Sequence, residues 1–100
     1  MLPEPALKAI AHPARRQMLE LVWDRERTST ELADAAALTR PAASQHLKVL
    51  REAGLVSVRA AGNRRLYRAN AEKLDELRAF LDGFWGERLN ALQQAAEEPE

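Results

Sequence analysis

Residues 31–68 hold two helix-length stretches parted by only three residues, followed by two short β-prone runs around a Gly-Asn pair. The first stretch, Glu31 to Ala36, turns through Ala37-Leu38-Thr39 into a second, Arg40 to Ala53, which Gly54 halts. Thr39 suits the cap of the second helix and Pro41 its first turn. Ala43, Leu47 and Leu50, spaced by four and three, form its packed face. Arg40, Ser44, Gln45, Lys48 and Arg51 then point elsewhere.

The β-prone runs are Leu55 to Arg59 and Arg65 to Arg68, joined through Ala60-Ala61-Gly62-Asn63-Arg64, where Gly62-Asn63 gives the permissive backbone of a hairpin turn. Upstream, Ala6, Leu7, Ile10 and Ala11 mark a first helix that ends at His12, because the residue before Pro13 is pushed out of helical geometry. Pro13 opens the next helix, and Met18, Leu19, Leu21, Val22 and Trp23 give it a broad inward face. Thr28 and Glu31 have capping-box spacing for the third helix, with Ser29 and Thr30 as alternative caps. Asn70 can cap a last helix from Ala71 to about Ala95, and residues 97–100 read as a frayed tail. The expectation is a single mainly α domain over residues 1–96, α+β by virtue of one small hairpin, with about five helices.

Apolar residues at 46% exclude a disordered chain, and charged residues at 30% exclude a membrane protein. No secretory leader is visible, and there is no cysteine, so disulfides, thiol catalysis and thiolate metal sites fall away together. A reducing cytoplasm is the expected compartment. The net charge is zero, but it is unevenly spread. Residues 40–69 carry seven basic groups against Glu52 alone, whereas residues 70–100 carry three basic and eight acidic groups. The ordinary meaning of a charge run is a solvated face. Here the positive block coincides with the second helix and the hairpin, the arrangement that places side chains in the major groove of double-stranded DNA while a second element grips the backbone.

On that expectation Gln45 and Ser44 are the candidates for base contact, since a glutamine amide can bond adenine N6 and N7 together. Arg40 can reach guanine or a phosphate, and Thr39 with the free N–H groups at the helix start suits a phosphate. Lys48 and Arg51 are backbone clamps. On the hairpin, Arg59, Asn63, Arg64 and Arg65 face phosphates or the minor groove. Tyr67 either donates its hydroxyl to a phosphate or packs at the hairpin base. His46 packs or meets a phosphate rather than a metal, His12 is structural at the helix junction, and Arg15 and Arg16 either pair with acids or add backbone contacts.

These residues resemble the ArsR (arsenical-resistance regulator) family of winged helix-turn-helix repressors over about Ala9 to Leu92. The likeness is carried by Ala11-His12-Pro13-Ala14-Arg15-Arg16, by Glu31-Leu32-Ala33, by the run Pro41 to Val56, and by the wing Gly62-Asn63-Arg64-Arg65-Leu66-Tyr67. The resemblance implies a homodimer built on the first and last helices and a repressor released by some signal. The expected interface residues are Leu7, Ile10, Leu74, Leu77, Phe80, Leu81, Phe84, Trp85, Leu89 and Leu92. Phe80, Phe84 and Trp85 alternatively offer a small apolar effector a place to bind. Metal-sensing members carry a cysteine pair where this chain has Ala33 and Ala35. Their last-helix site uses histidines, whereas here Asp75, Glu76, Asp82 and Glu87 stand without one. No metal and no cofactor are therefore expected.

The partners expected are a palindromic DNA operator and a second copy of the chain; the inducing signal is a small molecule, a partner protein, or nothing beyond the protein's own abundance. An interaction module that keeps the scaffold but not DNA readout is the alternative. The basic block and the lack of an apolar patch on the second helix of the unit speak against it. No nucleophile–base pair, Gly-rich phosphate loop or metal cluster points to an enzyme.

Overall fold

The computed structural model describes residues 3–97. In chain order the elements are α1 (Glu4–Ile10), α2 (Pro13–Leu21), β1 (Arg27–Thr28), α3 (Ser29–Ala35), α4 (Arg40–Glu52), β2 (Val56–Ala61), β3 (Arg64–Ala69) and α5 (Ala71–Glu97). The expected tail residues 98–100 lie outside the described range, and Glu97 closes α5 rather than fraying from it. No helix among the described residues is long and apolar enough to cross a membrane.

Helix starts follow local chemistry. His12 caps α2 by accepting the Ala14 N–H on Nδ1 at 3.1 Å, with Pro13 in the first turn. Thr28 is the cap of α3: its Oγ1 accepts the Glu31 N–H at 3.2 Å, and the Glu31 carboxylate accepts the Thr28 N–H at 3.1 Å, closing the capping box. Thr39 accepts the Ala42 N–H at 3.2 Å and starts α4. Helix ends follow a shared rule. Leu55 N–H bonds Leu50 O at 2.9 Å past Gly54, whose φ is +80°, and Leu38 N–H bonds Ala33 O at 2.9 Å past Ala37, whose φ is +54°. Both are Schellman closures. The first uses the residue best suited to that backbone and the second uses alanine.

Three elements differ from the sequence expectation. The hairpin is longer and tighter: Ala61 pairs with Arg64, leaving only Gly62 and Asn63 in the turn. Gly62 has φ +65° whereas Asn63 is not among the positive-φ residues, the pattern of a II′ turn, whose twist matches the strands. A third strand, β1, pairs with β3 through Arg27↔Tyr67 and Thr28↔Leu66, giving an antiparallel sheet of order β1-β3-β2. Finally, Trp23 does not face inward. The helix ends at Leu21, Val22 takes a non-helical φ of −111°, and Trp23 leaves the helical period to stand 59% exposed.

The core gathers Met18, Val22, Leu32, Leu47, Leu50 and Leu55, all less than 2% exposed, at the crossing of α2, α3 and α4 with the base of the hairpin. Burying side chains of this size contributes about 1.5–3 kcal/mol each. Side-chain clips reinforce the joints. Arg15 Nε and Nη2 donate to the carbonyls of Ala9 and Lys8 at 2.7 and 3.2 Å, and Arg16 Nη1 donates to Ile10 O at 2.6 Å. These two arginines close the open C-terminal end of α1, where cations complement the helix dipole. Arg27 Nε does the same for α2 at Leu21 O, 2.7 Å away.

Candidate nucleic-acid interface

On α4 the apolar triad turns inward: Ala43, Leu47 and Leu50 are at most 1% exposed. That fixes the rotation of the helix, and Arg40, Ser44, Gln45, Lys48 and Arg51 are left exposed on the other faces. A groove of about 510 Å³ runs between α4 and the hairpin, lined by Ser44, Leu47, Lys48, Arg51, Glu52, Arg65 and Tyr67. A second, of about 590 Å³, lies between the start of α3 and the hairpin tip, lined by Thr28, Ser29, Thr30, Glu31, Asn63, Arg64 and Arg65. Arg65 lines both, so the two form one furrow from the recognition-type helix to the wing tip. Lys48, Arg51, Arg64 and Arg65 dominate its charge, with Glu31 and Glu52 opposing.

Glu31 is no free acid, because the hydrogen bonds from the backbone and hydroxyl of Thr28 lower its pKa and hold it ionised in the cap. Ser29 and Thr30 line the furrow and were not singled out in the sequence. Their cap spacing signalled only a helix start, since a two-residue β1 gives no pattern to show that this helix start lies beside the wing.

Four residues of the expected DNA-facing set make contacts within the chain. Arg59 is held in a two-pronged pair with Glu26, Nε to Oε2 at 2.6 Å and Nη2 to Oε1 at 2.9 Å. This pairing lowers the Glu26 pKa and raises that of Arg59, so the pair stays ionised and the cation is already partnered. It clips β2 to the loop before β1. Tyr67 is 8% exposed and packs at the hairpin base, while it also lines the groove beside α4.

His46 leans back toward α2. Its ring lies 4.5 Å from that of His12, and its Nδ1 is 3.3 Å from Arg15 Nη1. Desolvation first, then the charges of His12 and Arg15, lowers its pKa, so at neutral pH it is uncharged and takes the Arg15 proton donor on Nδ1. The Thr39 hydroxyl serves as the α4 cap.

The last helix presents a different surface. Leu77, 5% exposed, belongs to the subunit's own core and is not free to meet a partner. Leu7, Ile10, Leu74 and Leu81 pack partly against that core. Farther along, Phe84, Trp85, Leu89 and Leu92 are 42, 48, 55 and 67% exposed. Phe84 stacks with Phe80 at 6.0 Å, meets Trp85 edge-on at 4.9 Å, and carries Arg88 over its face at 4.4 Å. A shallow groove of about 310 Å³ between α1 and α5 is lined by Glu4, Leu7, Phe80, Leu81, Phe84 and Trp85.

Comparison with known proteins agrees with this architecture. Residues 12–58 match the pattern of the bacterial regulatory protein, arsR family. The HTH-type transcriptional regulator Rv2034 of Mycobacterium tuberculosis is 41% identical over 92% of this chain and 86% of its own length. The crystal structure of a possible transcriptional regulator for arsenical resistance superposes with a TM-score of 0.77 at 41% identity, covering 94% of this chain and 96% of that one. A solution structure of a homodimeric winged helix-turn-helix DNA-binding domain from Mycobacterium bovis, described as a possible ArsR-family regulator, gives a TM-score of 0.68 at 32% identity over 88% of this chain and 82% of that one. With a winged helix-turn-helix fold and relatives of this identity along most of its length, the chain belongs to the ArsR family of bacterial transcriptional regulators.

Proposed function

We propose that the chain is a homodimeric repressor that reads a palindromic operator, with α4 in the major groove and the β2–β3 wing on the backbone or in the minor groove. The observation that carries this reading is the furrow. It places Ser44, Lys48, Arg51 and Arg65 on one exposed surface, continuous with Arg64 and Asn63 at the wing tip. Gln45 and Ser44 read base edges, Arg40 contacts guanine or phosphate at the α4 start, and Lys48, Arg51, Arg64 and Arg65 hold phosphates. Ser29 and Thr30 join the phosphate contacts at the wing tip. Arg59, Tyr67 and His46 act from behind, as supports for the wing and for α4.

The dimer reading rests on the aromatic and leucine stripe of α5, which a second copy would cover together with Leu7 and Ile10 of α1. Two copies of α4 about one helical turn apart, roughly 34 Å, then match two half-sites, and a promoter so occupied is closed to polymerase. The test is fluorescence anisotropy with the duplex upstream of the chain's own coding sequence, against a scrambled duplex of equal length. Tight binding, at about 10⁻⁸ M or below, that weakens steeply with salt and falls roughly 10³-fold or more on the scrambled duplex is expected. Equal affinity for both duplexes, or indifference to ionic strength, overturns it.

A further inference from the structure

The loop after α2 carries an indole that is left largely exposed. Trp23 is 59% exposed. It lines a groove of about 270 Å³ with Ala69 at the end of β3, Ala71 and Leu74 in the first turn of α5, and Asp75 and Arg78. An isolated exposed apolar residue is ordinary. An indole that walls a largely apolar groove at the meeting of three elements is the kind of concavity that takes a small molecule, here one at the small end of the range.

Charge selects the ligand. Arg78 is already held by Asp75 at 2.7 Å and by Asp82 at 3.5 Å, so this trio carries one negative charge in excess. An anion would meet net repulsion from this trio. A cation would find an aromatic face and carboxylates together.

We infer that the Trp23 groove is a binding site for a small organic cation bearing one aromatic ring. The site adjoins the bonds that seat the β3–α5 joint: the Ala69 N–H donates to Val22 O at the end of α2 at 3.0 Å, and the Asn70 N–H donates to Leu55 O just before β2 at 2.8 Å. Occupancy therefore loads the joint between the proposed DNA-reading wing and the proposed dimer helix. This regulatory consequence rests on the DNA-binding reading above; the binding itself does not.

The test uses the full chain with Trp85→Phe, which leaves Trp23 as the sole indole of the original two, titrated with benzyltrimethylammonium and separately with phenylacetate. A saturable blue shift of Trp23 emission with the cation, none with the anion, and at least a fivefold weaker cation affinity after Asp75→Asn are expected. No saturable shift, an equal response to the anion, or an Asp75→Asn variant that binds as before overturns the site. A second arm compares operator affinity with and without saturating cation for the unaltered chain and for Trp23→Leu. A change of threefold or more in the first and none in the second is expected, and no change in either overturns the regulatory consequence. The fluorescence arm contains no DNA, so a chain that failed to read DNA would still report on the site.

Discussion

α4 and α5 are both amphipathic helices, yet one is finished within a single chain and the other is not. All the large apolar side chains on the inner face of α4 are covered, with Leu47 and Leu50 at 1% and 0% exposure. Along the 27 residues of α5 only Leu77 is buried, and exposure rises from Phe84 at 42% to Leu92 at 67%. The same residue types that lock α4 into one rotation leave the distal half of α5 without a neighbour. Uncovered stripes of this width mark an interface rather than a solvated face. The contrast separates two tasks: the subunit's own core positions the proposed reading surface, and in the proposed dimer a second copy completes the far helix.

The sharpest way to break this contrast is to damage the covered helix. Leu50→Ala should cost about 2–5 kcal/mol of folding stability, measured by urea unfolding, because the cavity at the crossing of α2, α3 and α4 cannot collapse fully. A negligible loss would mean that the core does not fix α4. Trp85→Ala with Leu89→Ala should instead leave the fold intact by circular dichroism, while sedimentation shifts from a dimer to a single 11.2 kDa chain. Operator affinity should then fall about 100-fold or more as the two half-sites uncouple. Retention of the dimer in that variant would place the interface elsewhere.

Within the reading surface, Gln45→Ala should lose about 1–3 kcal/mol of discrimination between operator and variant duplexes. Arg64→Ala should weaken all duplexes alike and reduce the salt slope by about 1. The reverse pattern would exchange the roles of helix and wing.

Two smaller effects probe the joints around α4. Ala37→Gly should raise stability by about 1 kcal/mol, since glycine accepts the φ of +54° that alanine holds at a cost. Thermal unfolding with no gain would show that the α3–α4 turn relaxes without strain. The depressed pKa of His46 gives a pH signature of definite sign. As pH falls below the ordinary histidine value of 6.5, the unfolded chain takes up this proton first, so stability declines through the window beneath 6.5. It levels off once the folded His46 is itself protonated. His46→Gln should flatten that part of the profile, and an unchanged decline would assign it to another group.

The sequence was most readable where a single residue settles a local geometry. Thr39 and Gly54 bound α4, Thr28 and Glu31 start α3, and Asn70 starts α5 by accepting the Lys73 N–H on its side chain at 3.3 Å. The spacing of Ala43, Leu47 and Leu50 then set which residues of α4 stay exposed. What escaped was tertiary. β1 is two residues long, too short for an alternating pattern, and exists because β3 is beside it. The partner of Arg59 is 33 residues away, so its charge looked free when it was already matched. His46 sits among polar neighbours on α4, and nothing local reveals that His12 and Arg15 of α2 face it. Trp23 follows the α2 period in sequence and departs from it in space because the helix stops two residues earlier.

One residue, Asn70, separates β3 from α5. At about 1.5 Å per residue the 27-residue helix is a lever arm of roughly 40 Å. With so short a fulcrum, a tilt of about one degree at the wing base becomes a displacement of roughly 0.7 Å at the far tip. In the proposed dimer, two such arms clasped to each other would convert a small disturbance beside one sheet into a change in the spacing of both.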